Sequence, residues 1–377
     1  MAGNRTADEL LKWGLEHAPM TEDGQSSVTQ VTSEIAAGRR PDLQDPALYN
    51  AIMGKSEAQM MQEELGVAVD MSRSETDRLT ALDNFEMLIE QVDNANTMES
   101  LQMWPVFLKL LQSHEEPEIQ VQAAWVVGTA TQNNDKAQAV ALHHGVLKVL
   151  LPLLDAHKPE LRSKAVYAIS AILGHHPAAV AQFAELGGWD KLNHALADSN
   201  LGVRRKVAFL LNQLLIQDPL ESSESLDETD TGMRSVPNTQ VVAKDNGDAN
   251  MPPVPLEEGP ATKKIKVKHP DVGRALVEHG ILDSLITSLL PEGNGSLAVC
   301  NGQAVRNDID YDEKAVQVVL TLTGQHRATL PLPKAKLQQL VQVLRGPPVD
   351  QATDSQTFAE ELGVDGNSVD TLEKKTG

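Results

Sequence analysis

Two pairs of adjacent histidines are the residues whose chemistry most readily suggests a metal site: His143 with His144, and His175 with His176. Each pair falls at a predicted turn between helices, and no cysteine accompanies it. Side chains at adjacent helical positions do not face one site, so neither pair can converge on an ion as tetrahedral zinc ligands do. The sequence therefore predicts no metal centre and no other bound cofactor.

Motifs of nucleophilic or phosphate chemistry are absent from the sequence. There is no Gly-rich phosphate loop, no nucleophile elbow and no zincin signature. The run Glu292-Gly293-Asn294-Gly295 follows no predicted strand, so we interpret it as a loop. Because no side chains are paired for proton transfer with any specificity, we expect a protein that is not an enzyme.

Basic residues recur 42 positions apart at the start of successive predicted long helices. Arg162 is followed by Arg204, Lys164 is followed by Lys206, and Arg205 adds another cation. We predict that they form a basic strip that binds an acidic partner surface. The alternative interpretation is a solvated helix N-terminus, which is weakened because cations at that end oppose the helix dipole.

A 42-residue repeat must position these cations. The repeat aligns the apolar residues Ile119, Leu161 and Val203, the aromatic residues Trp125, Tyr167 and Phe209, and the aliphatic residues Val127, Ile169 and Leu211. A helical repeat of about 40–47 residues is typical of armadillo and HEAT proteins. The sequence therefore predicts an all-α, armadillo-like right-handed superhelical solenoid with disordered insertions and tails. We expect the three aromatic residues to be core spacers without a direct function.

Changes in composition along the chain predict its domain organisation. Apolar periodicity supports helices and repeats, whereas acidic and Pro-, Ser- or Asn-rich stretches predict disorder. The predicted parts are a short amphipathic segment (1–18), a flexible linker (19–45), N-terminal helices and armadillo repeats (46–218), a disordered acidic insertion ending in a basic cluster (219–268), a final repeat (269–346) with a loop insertion at about 291–310, and a disordered acidic tail (347–377).

The charge balance restricts the partners. Fifty-three acidic residues against 32 lysines and arginines give a formal net charge of −21, which opposes binding to nucleic acid. The single Cys300 suits a reducing compartment, and we expect a cytoplasmic protein without a signal or membrane segment. The basic run Lys263–Lys268 is compatible with a nuclear localisation signal and equally with the solvated end of a linker.

A recognition motif of armadillo importins is missing. Those proteins hold an extended peptide by an asparagine ladder in the frame Trp-x-x-x-Asn, whereas the corresponding residues here are Thr129, Ala171 and Gln213. A nuclear-import carrier is therefore disfavoured. An adaptor that binds an extended peptide in its concave groove remains the alternative function.

Four stretches resemble one known family: LLKWG at 10–14, ALDNFEMLIE at 81–90, DNAN at 93–96 and GTATQNN at 128–134. They are similar to the fungal Fes-type nucleotide-exchange factors and to their animal relatives, the heat-shock-protein-binding proteins. The match is dense over residues 76–217 and thin beyond Pro270.

The resemblance implies an armadillo body that grips the nucleotide-binding domain of the seventy-kilodalton heat-shock chaperone and holds it open, so that ADP leaves. Exchange requires only tighter binding to the open domain than to the closed one. By position, the contacts would include Ala95, in a turn predicted at Asp93–Asn96, and Lys206. The protein is expected to be a monomer. Its N-terminal segment would compete for the chaperone's substrate site and help to release client through Leu10, Leu11, Trp13 and Leu15.

Overall fold

The computed structural model describes residues 55–113, 116–218, 269–290, 297–300, 303–306, 308–324, 330–346 and 357–376. The predicted segment 1–18, linker 19–45 and insertion 219–268 lie outside these residues. The chain divides into two compact units, Met1–Glu63 and Glu64–Gly377. Helix α1 (Glu57–Val69) spans the boundary between them. In the first unit, Lys55 Nζ lies 2.5 Å from a carboxylate oxygen of Glu63.

The second unit is built almost entirely from consecutive helices in its described residues. After α1, the elements are α2 (Glu75–Ile89), α3 (Val92–Ser100), α4 (Trp104–Leu111), α5 (Pro117–Thr131), α6 (Asp135–His143), α7 (Val146–Leu150) with a following 3-10 turn (Leu151–Asp155), α8 (Pro159–Leu173), α9 (Pro177–Glu185), α10 (Gly188–Ala195), α11 (Leu201–Gln217), α12 (Val272–Glu278), α13 (Ile281–Leu289), β1 (Leu297–Cys300), β2 (Gln303–Arg306), α14 (Ile309–Gly324), α15 (Lys334–Arg345), α16 (Phe358–Glu361) and α17 (Gly366–Thr376).

No single helix in the described ranges is both long and apolar enough to cross a membrane. The segments Asp135–His143 and Val146–Asp155 are long and apolar enough only when they are taken together, and a bend of 72° lies between them.

Triplets of helices form the repeat. In α3–α5, α6–α8, α9–α11 and α12–α14, two shorter helices precede a longer one. The long helices pack on one another in chain order, α5 on α8, α8 on α11, and α11 on α14. Such repeats bury their apolar faces only against neighbours, so the stack is the unit of stability. The prediction of an all-α armadillo-like solenoid is confirmed.

The turns of the triplets share a backbone conformation. Gly145, Gly187 and Gly280 each precede the second helix of a triplet, with φ of 71°, 74° and 69°. This left-handed region is costly for residues that carry a Cβ, which explains why glycine occupies all three positions.

A second turn explains one histidine pair. Asn133 and His175, 42 residues apart, both have a positive φ, of 53° and 54°. The next residues, Asn134 and His176, cap α6 and α9 by accepting hydrogen bonds from backbone N–H groups three positions later. His175 and His176 are therefore structural residues of the repeat.

The core lies between the long helices. Val127, Ile169 and Leu211, which share one phase of the repeat, are fully buried. Helices α5 and α8 approach closely at Gly128, where a Cβ would lie 2.4 Å from a ring carbon of Tyr167 and 3.3 Å from Ala168 Cα. The absent side chain allows the Tyr167 ring to lie across α5.

The insertion predicted as a loop at about 291–310 contains a β-hairpin. Strands β1 and β2 pair antiparallel, with Leu297 opposite Arg306 and Cys300 opposite Gln303. The two residues between them are Asn301-Gly302, a sequence strongly preferred in two-residue hairpins. Helix α14 begins at Ile309, so the insertion ends two residues before the predicted boundary.

The prediction of a disordered tail over 347–377 is wrong for residues 357–376, which form α16 and α17. Six apolar residues are buried there: Phe358, Ala359, Leu362, Val364, Val369 and Leu372. Helix α17 packs on α14 and α15. A capping box joins Thr357 and Glu360 at the start of α16, and this pattern was readable from the sequence beneath the acidic composition.

Asp218 joins the two sides of the 219–268 insertion. Its Oδ2 accepts hydrogen bonds from the backbone N–H groups of Val272 (2.9 Å) and Gly273 (3.4 Å), at the start of α12. The carboxylate therefore satisfies donors that a helix N-terminus leaves unpaired.

The close approach at Gly128 makes this position sensitive to substitution. We expect Gly128→Ala to lower the free energy of unfolding by about 1–3 kcal/mol, because the new methyl group displaces the Tyr167 ring or separates two helices. Urea unfolding followed by circular dichroism measures the change. Gly66→Ala is the control: its Cβ would meet nothing within 4 Å, and it should stabilise α1 by up to about 1 kcal/mol. Equal stability of the two variants would contradict close packing at Gly128.

Candidate functional site

Ala95 lies in the interior of the protein and not on its surface. Residues 93–96 lie within α3, not in a turn; the chain turns at Glu90–Gln91 instead. The Asn94 side chain donates to Leu88 O at 2.8 Å and ties α3 to the end of α2. Ala95 is 2% exposed. Its predicted role as a direct contact is therefore wrong, and Ala95→Arg would place a charge in the core.

Arg162 is committed to an internal ion pair. Its Nε and Nη2 donate to the Asp198 carboxylate at 2.5 and 2.7 Å, and the two side chains are 11% and 6% exposed. Burial alone would raise the pKa of Asp198, but hydrogen bonds from Arg162 and from the Asn200 backbone outweigh it, so the pKa is lowered. Arg162 therefore joins α8 to the turn before α11 and does not form part of an open strip.

Arg204 and Arg205 are also used internally. Arg204 is buried, with its guanidinium carbon 4.3 Å from the centroid of the Tyr311 ring. Arg205 contacts the fully buried side chain of Asp308 at 2.7 Å and Asp310 at 3.3 Å. Both arginines link α11 to α14 and its N-terminal turn. Arg162 and Arg204 therefore do not belong to an open basic strip, whereas the Arg205 side chain is 41% exposed and its partner contact stays a prediction.

Lys164 and Lys206 remain on the exposed surface formed by α5, α8, α11 and α14, which we call the long-helix face. Lys206 Nζ donates to Ser163 Oγ at 2.7 Å, and Lys164 Nζ lies 3.4 Å from the centroid of the Trp125 ring. Neither ammonium group is paired with a carboxylate in the described part of the chain. Burial lowers the pKa of both lysines; the charge of Lys206 further lowers the pKa of Lys164, and the Glu86 carboxylate opposes this shift. The two like charges are therefore close, a costly arrangement that an acidic partner would relieve.

The three in-phase aromatic residues are not core spacers. Trp125 and Tyr167 are partly exposed, and Phe209 is 49% exposed. The core at this level is made by residues two positions later, beginning with Val127. A pattern in the sequence of α11 could have indicated that Phe209 is exposed. Lys206, Phe209, Gln213 and Ile216 follow one another at three- and four-residue spacing and so share a face of the helix.

A cleft of about 650 Å³ opens on the long-helix face between α8, α11 and α14. Its lining includes Tyr167, Lys206, Phe209, Leu210, Gln213 and Leu214. Arg205 and Lys314 also line it, but they are paired with Asp308 and Asp310. Among the described residues, Lys206 is therefore the lysine or arginine of the cleft whose charge is not paired with a carboxylate.

The three positions of the missing asparagine ladder differ in their surroundings. Thr129 donates to the buried carboxylate of Glu86 at 2.6 Å, and Ala171 has no polar side chain. The Gln213 amide lines the cleft and has no hydrogen-bond partner among the described residues. One position of three could thus bind a peptide backbone.

The other histidine pair is part of a packed turn. His144 Nε2 lies 2.8 Å from Glu99 Oε2, and its ring stacks on Trp104 with centroids 6.5 Å apart. Among the described residues, no group of three or more His, Cys, Asp or Glu is placed to share a metal ion. The segment with Leu10, Leu11, Trp13 and Leu15 lies outside the described residues.

The Arg162 pair yields a stability prediction. Arg162→Ala leaves a buried carboxylate unpaired and should cost about 3 kcal/mol at neutral pH, whereas Lys148→Ala, at an exposed position on α7, should change little. Because the folded state lowers the pKa of Asp198 below 3.8, the stabilisation is present above that pH and is lost as the pH falls through the lowered value. Urea unfolding at several pH values should show the two variants converging in acid. Equal stability at neutral pH would return Arg162 to the list of candidate partner contacts.

Comparison with known proteins identifies the relatives of this chain. Residues 7–98 match the family model of the nucleotide exchange factor Fes1, and residues 94–241 match the SIL1/FES1/HPBP1 C-terminal domain. The chain is 47% identical to the Hsp70 nucleotide exchange factor FES1 of Mycosarcoma maydis over 396 aligned residues, which span all of this chain and 99% of that protein. It is 38% identical to the protein of the same name from Cryptococcus neoformans over 211 residues, 53% of this chain and 55% of that one.

Solved structures support the fold. A designed armadillo repeat protein in complex with the peptide (KR)4 superposes with a TM-score of 0.52 at 14% identity, over 86% of this chain and all of that one. A second designed armadillo repeat protein gives 0.50 at 14% identity, over 85% and 100%. At such identities the likeness concerns the armadillo architecture alone. The two sequence models and the full-length relative assign the family: the chain belongs to the Fes1 family of nucleotide exchange factors.

Proposed function

We propose that this protein is a nucleotide exchange factor for Hsp70, which accelerates the release of ADP and so promotes client release and folding. The full-length similarity to an Hsp70 exchange factor is the observation that carries the proposal. The protein acts by binding and is not itself an enzyme, as expected for this family.

The mechanism needs no contact with the nucleotide. A stack of packed helices is a rigid surface, and it shifts the chaperone's nucleotide-binding domain to an open state if it binds that state more tightly. A hundredfold preference corresponds to about 2.7 kcal/mol, a difference that a few contacts can supply. The open domain then releases ADP and admits ATP.

Lys164 and Lys206 are the contacts that we assign to this function. Charge complementarity favours an acidic partner surface, because neither ammonium group forms an ion pair within the described part of the chain, although the Glu86 carboxylate interacts electrostatically with Lys164. The pair is local, against a net charge of −21 for the whole chain. Long-range attraction is therefore not expected to drive association, and the contact should act at short range.

Other properties follow from the same proposal. The protein would act as a monomer in the cytoplasm, without nucleic-acid or membrane partners. Its N-terminal segment would engage the substrate-binding domain of the chaperone, and the basic run Lys263–Lys268 is a candidate signal for nuclear entry.

A peptide-binding adaptor is the second candidate, and the Gln213 amide favours it, because it has no hydrogen-bond partner among the described residues. The other two ladder positions oppose it, because Thr129 is engaged by Glu86 and Ala171 cannot hold a peptide backbone. The exchange factor is therefore the better supported function.

The first test is the release of a labelled ADP analogue from Hsp70, measured at an exchange-factor concentration below saturation. Lys206→Ala should slow stimulated release about tenfold by removing a charged contact, and Lys148→Ala should not. Circular dichroism of both variants verifies folding. Stimulation by Lys206→Ala at the wild-type level, with intact helicity, would exclude this contact.

A second test separates exchange from client release. Removal of residues 1–44 should leave ADP release unchanged, because the armadillo body is intact, and should slow the dissociation of a fluorescent peptide client from Hsp70. Substitution of Leu10, Leu11, Trp13 and Leu15 by alanine in the full chain is the matched variant and should behave in the same way. Unchanged client release in both variants would leave the segment without this role.

A further inference from the structure

We propose that the cleft between α8, α11 and α14 receives an apolar side chain of the docking partner, with Phe209 as its main contact and Lys206 binding an adjacent carboxylate. The inference rests on the proposed function. It adds the partner chemistry that this surface recognises: an apolar residue flanked by an acidic one on the surface of the chaperone domain.

The exposure of Phe209 is the first observation. The residue is 49% exposed, whereas the neighbouring Leu210 and Leu214 on the same helix are buried. Covering an exposed aromatic ring removes a large apolar area from water, and such rings are enriched among the residues that dominate binding energies.

The shape of the cleft is the second observation. The cleft is lined by the buried Leu210 and Leu214 and by the more exposed rings of Tyr167 and Phe209, and Gln213 adds an amide without a partner among the described residues. A volume of about 650 Å³ exceeds that of one side chain and its flanking backbone, and it lies in the range of ligand pockets. The Tyr167 hydroxyl donates to Gln132 at 2.8 Å, which fixes one side of the cleft before a partner arrives.

The ammonium group of Lys206 indicates which kind of partner residue can enter the cleft. Lys206 lies one helical turn before Phe209, and the remaining cations of the cleft, Arg205 and Lys314, are neutralised by Asp308 and Asp310. An ammonium group beside an apolar surface fits a carboxylate next to an apolar side chain. A second copy of this chain is a poor occupant, because two molecules of net charge −21 repel each other.

The test measures the affinity of the full-length protein for the nucleotide-binding domain of Hsp70 by isothermal titration calorimetry. Phe209→Ala should weaken binding about 10- to 30-fold, and Phe209→Leu should recover part of the loss. Leu186→Ala is the matched control, since Leu186 is a 39% exposed apolar residue in the turn between α9 and α10, outside the cleft. It should remain within about twofold of wild type.

The salt dependence of binding distinguishes the contact of Lys206 from that of Phe209. The loss caused by Lys206→Ala should shrink as the salt concentration rises, because exposed charges are screened, whereas the loss caused by Phe209→Ala should persist. A merely structural role of Phe209 would instead lower the stability of the variant, which urea unfolding detects.

Three results would overturn the inference. If wild type binds and accelerates ADP release while Phe209→Ala binds equally well, the cleft is not the anchor and the proposed function stands. If wild type neither binds nor accelerates release, the proposed function fails and the inference fails with it. If sedimentation shows a dimer of the protein alone that Phe209→Ala dissociates, the occupant is a second copy.

Discussion

The packing of successive long helices in register is the constraint on which the structure depends. Each long helix buries one face against the preceding or following long helix, and Val127, Ile169 and Leu211 occupy the same buried level. A single triplet cannot cover this face, so stability is a property of neighbours. Glycines with positive φ set the turns that keep the register, and Gly128 lets one pair of helices approach closely.

The same register decides which residues remain for binding. Since one side of each long helix faces its neighbours, the residues of the opposite side recur as an exposed strip. Trp125, Tyr167 and Phe209 lie there, with Lys164 and Lys206 beside them. A surface in which aromatic rings alternate with ammonium groups combines apolar area with charge, and this combination suits a folded acidic partner better than a peptide held only by its backbone.

The period made the fold predictable, because a repeat of 42 residues is visible in the sequence. It could not reveal which phase is buried: aromatic and aliphatic residues recur with the same spacing, and only the packed helices distinguish Trp125 from Val127. The ion pairs of the arginines could not be predicted from the sequence either, because Asp198 and Asp308 are distant in sequence from Arg162 and Arg205. By contrast, the Thr357–Glu360 capping box and the Asn301-Gly302 pair were local signals that an acidic average composition obscured.

The hydrogen bonds of Asp218 have a consequence for how this chain can change in evolution. Because this carboxylate holds the start of α12 against the end of α11, the distance between the two ends of the 219–268 segment is set by the stack and not by the segment itself. The entropy of closing a loop grows only logarithmically, so doubling its length costs about 0.6 kcal/mol. The junction therefore tolerates long additions, deletions or a grafted domain at little thermodynamic cost, and relatives can differ there while they keep the same repeat stack.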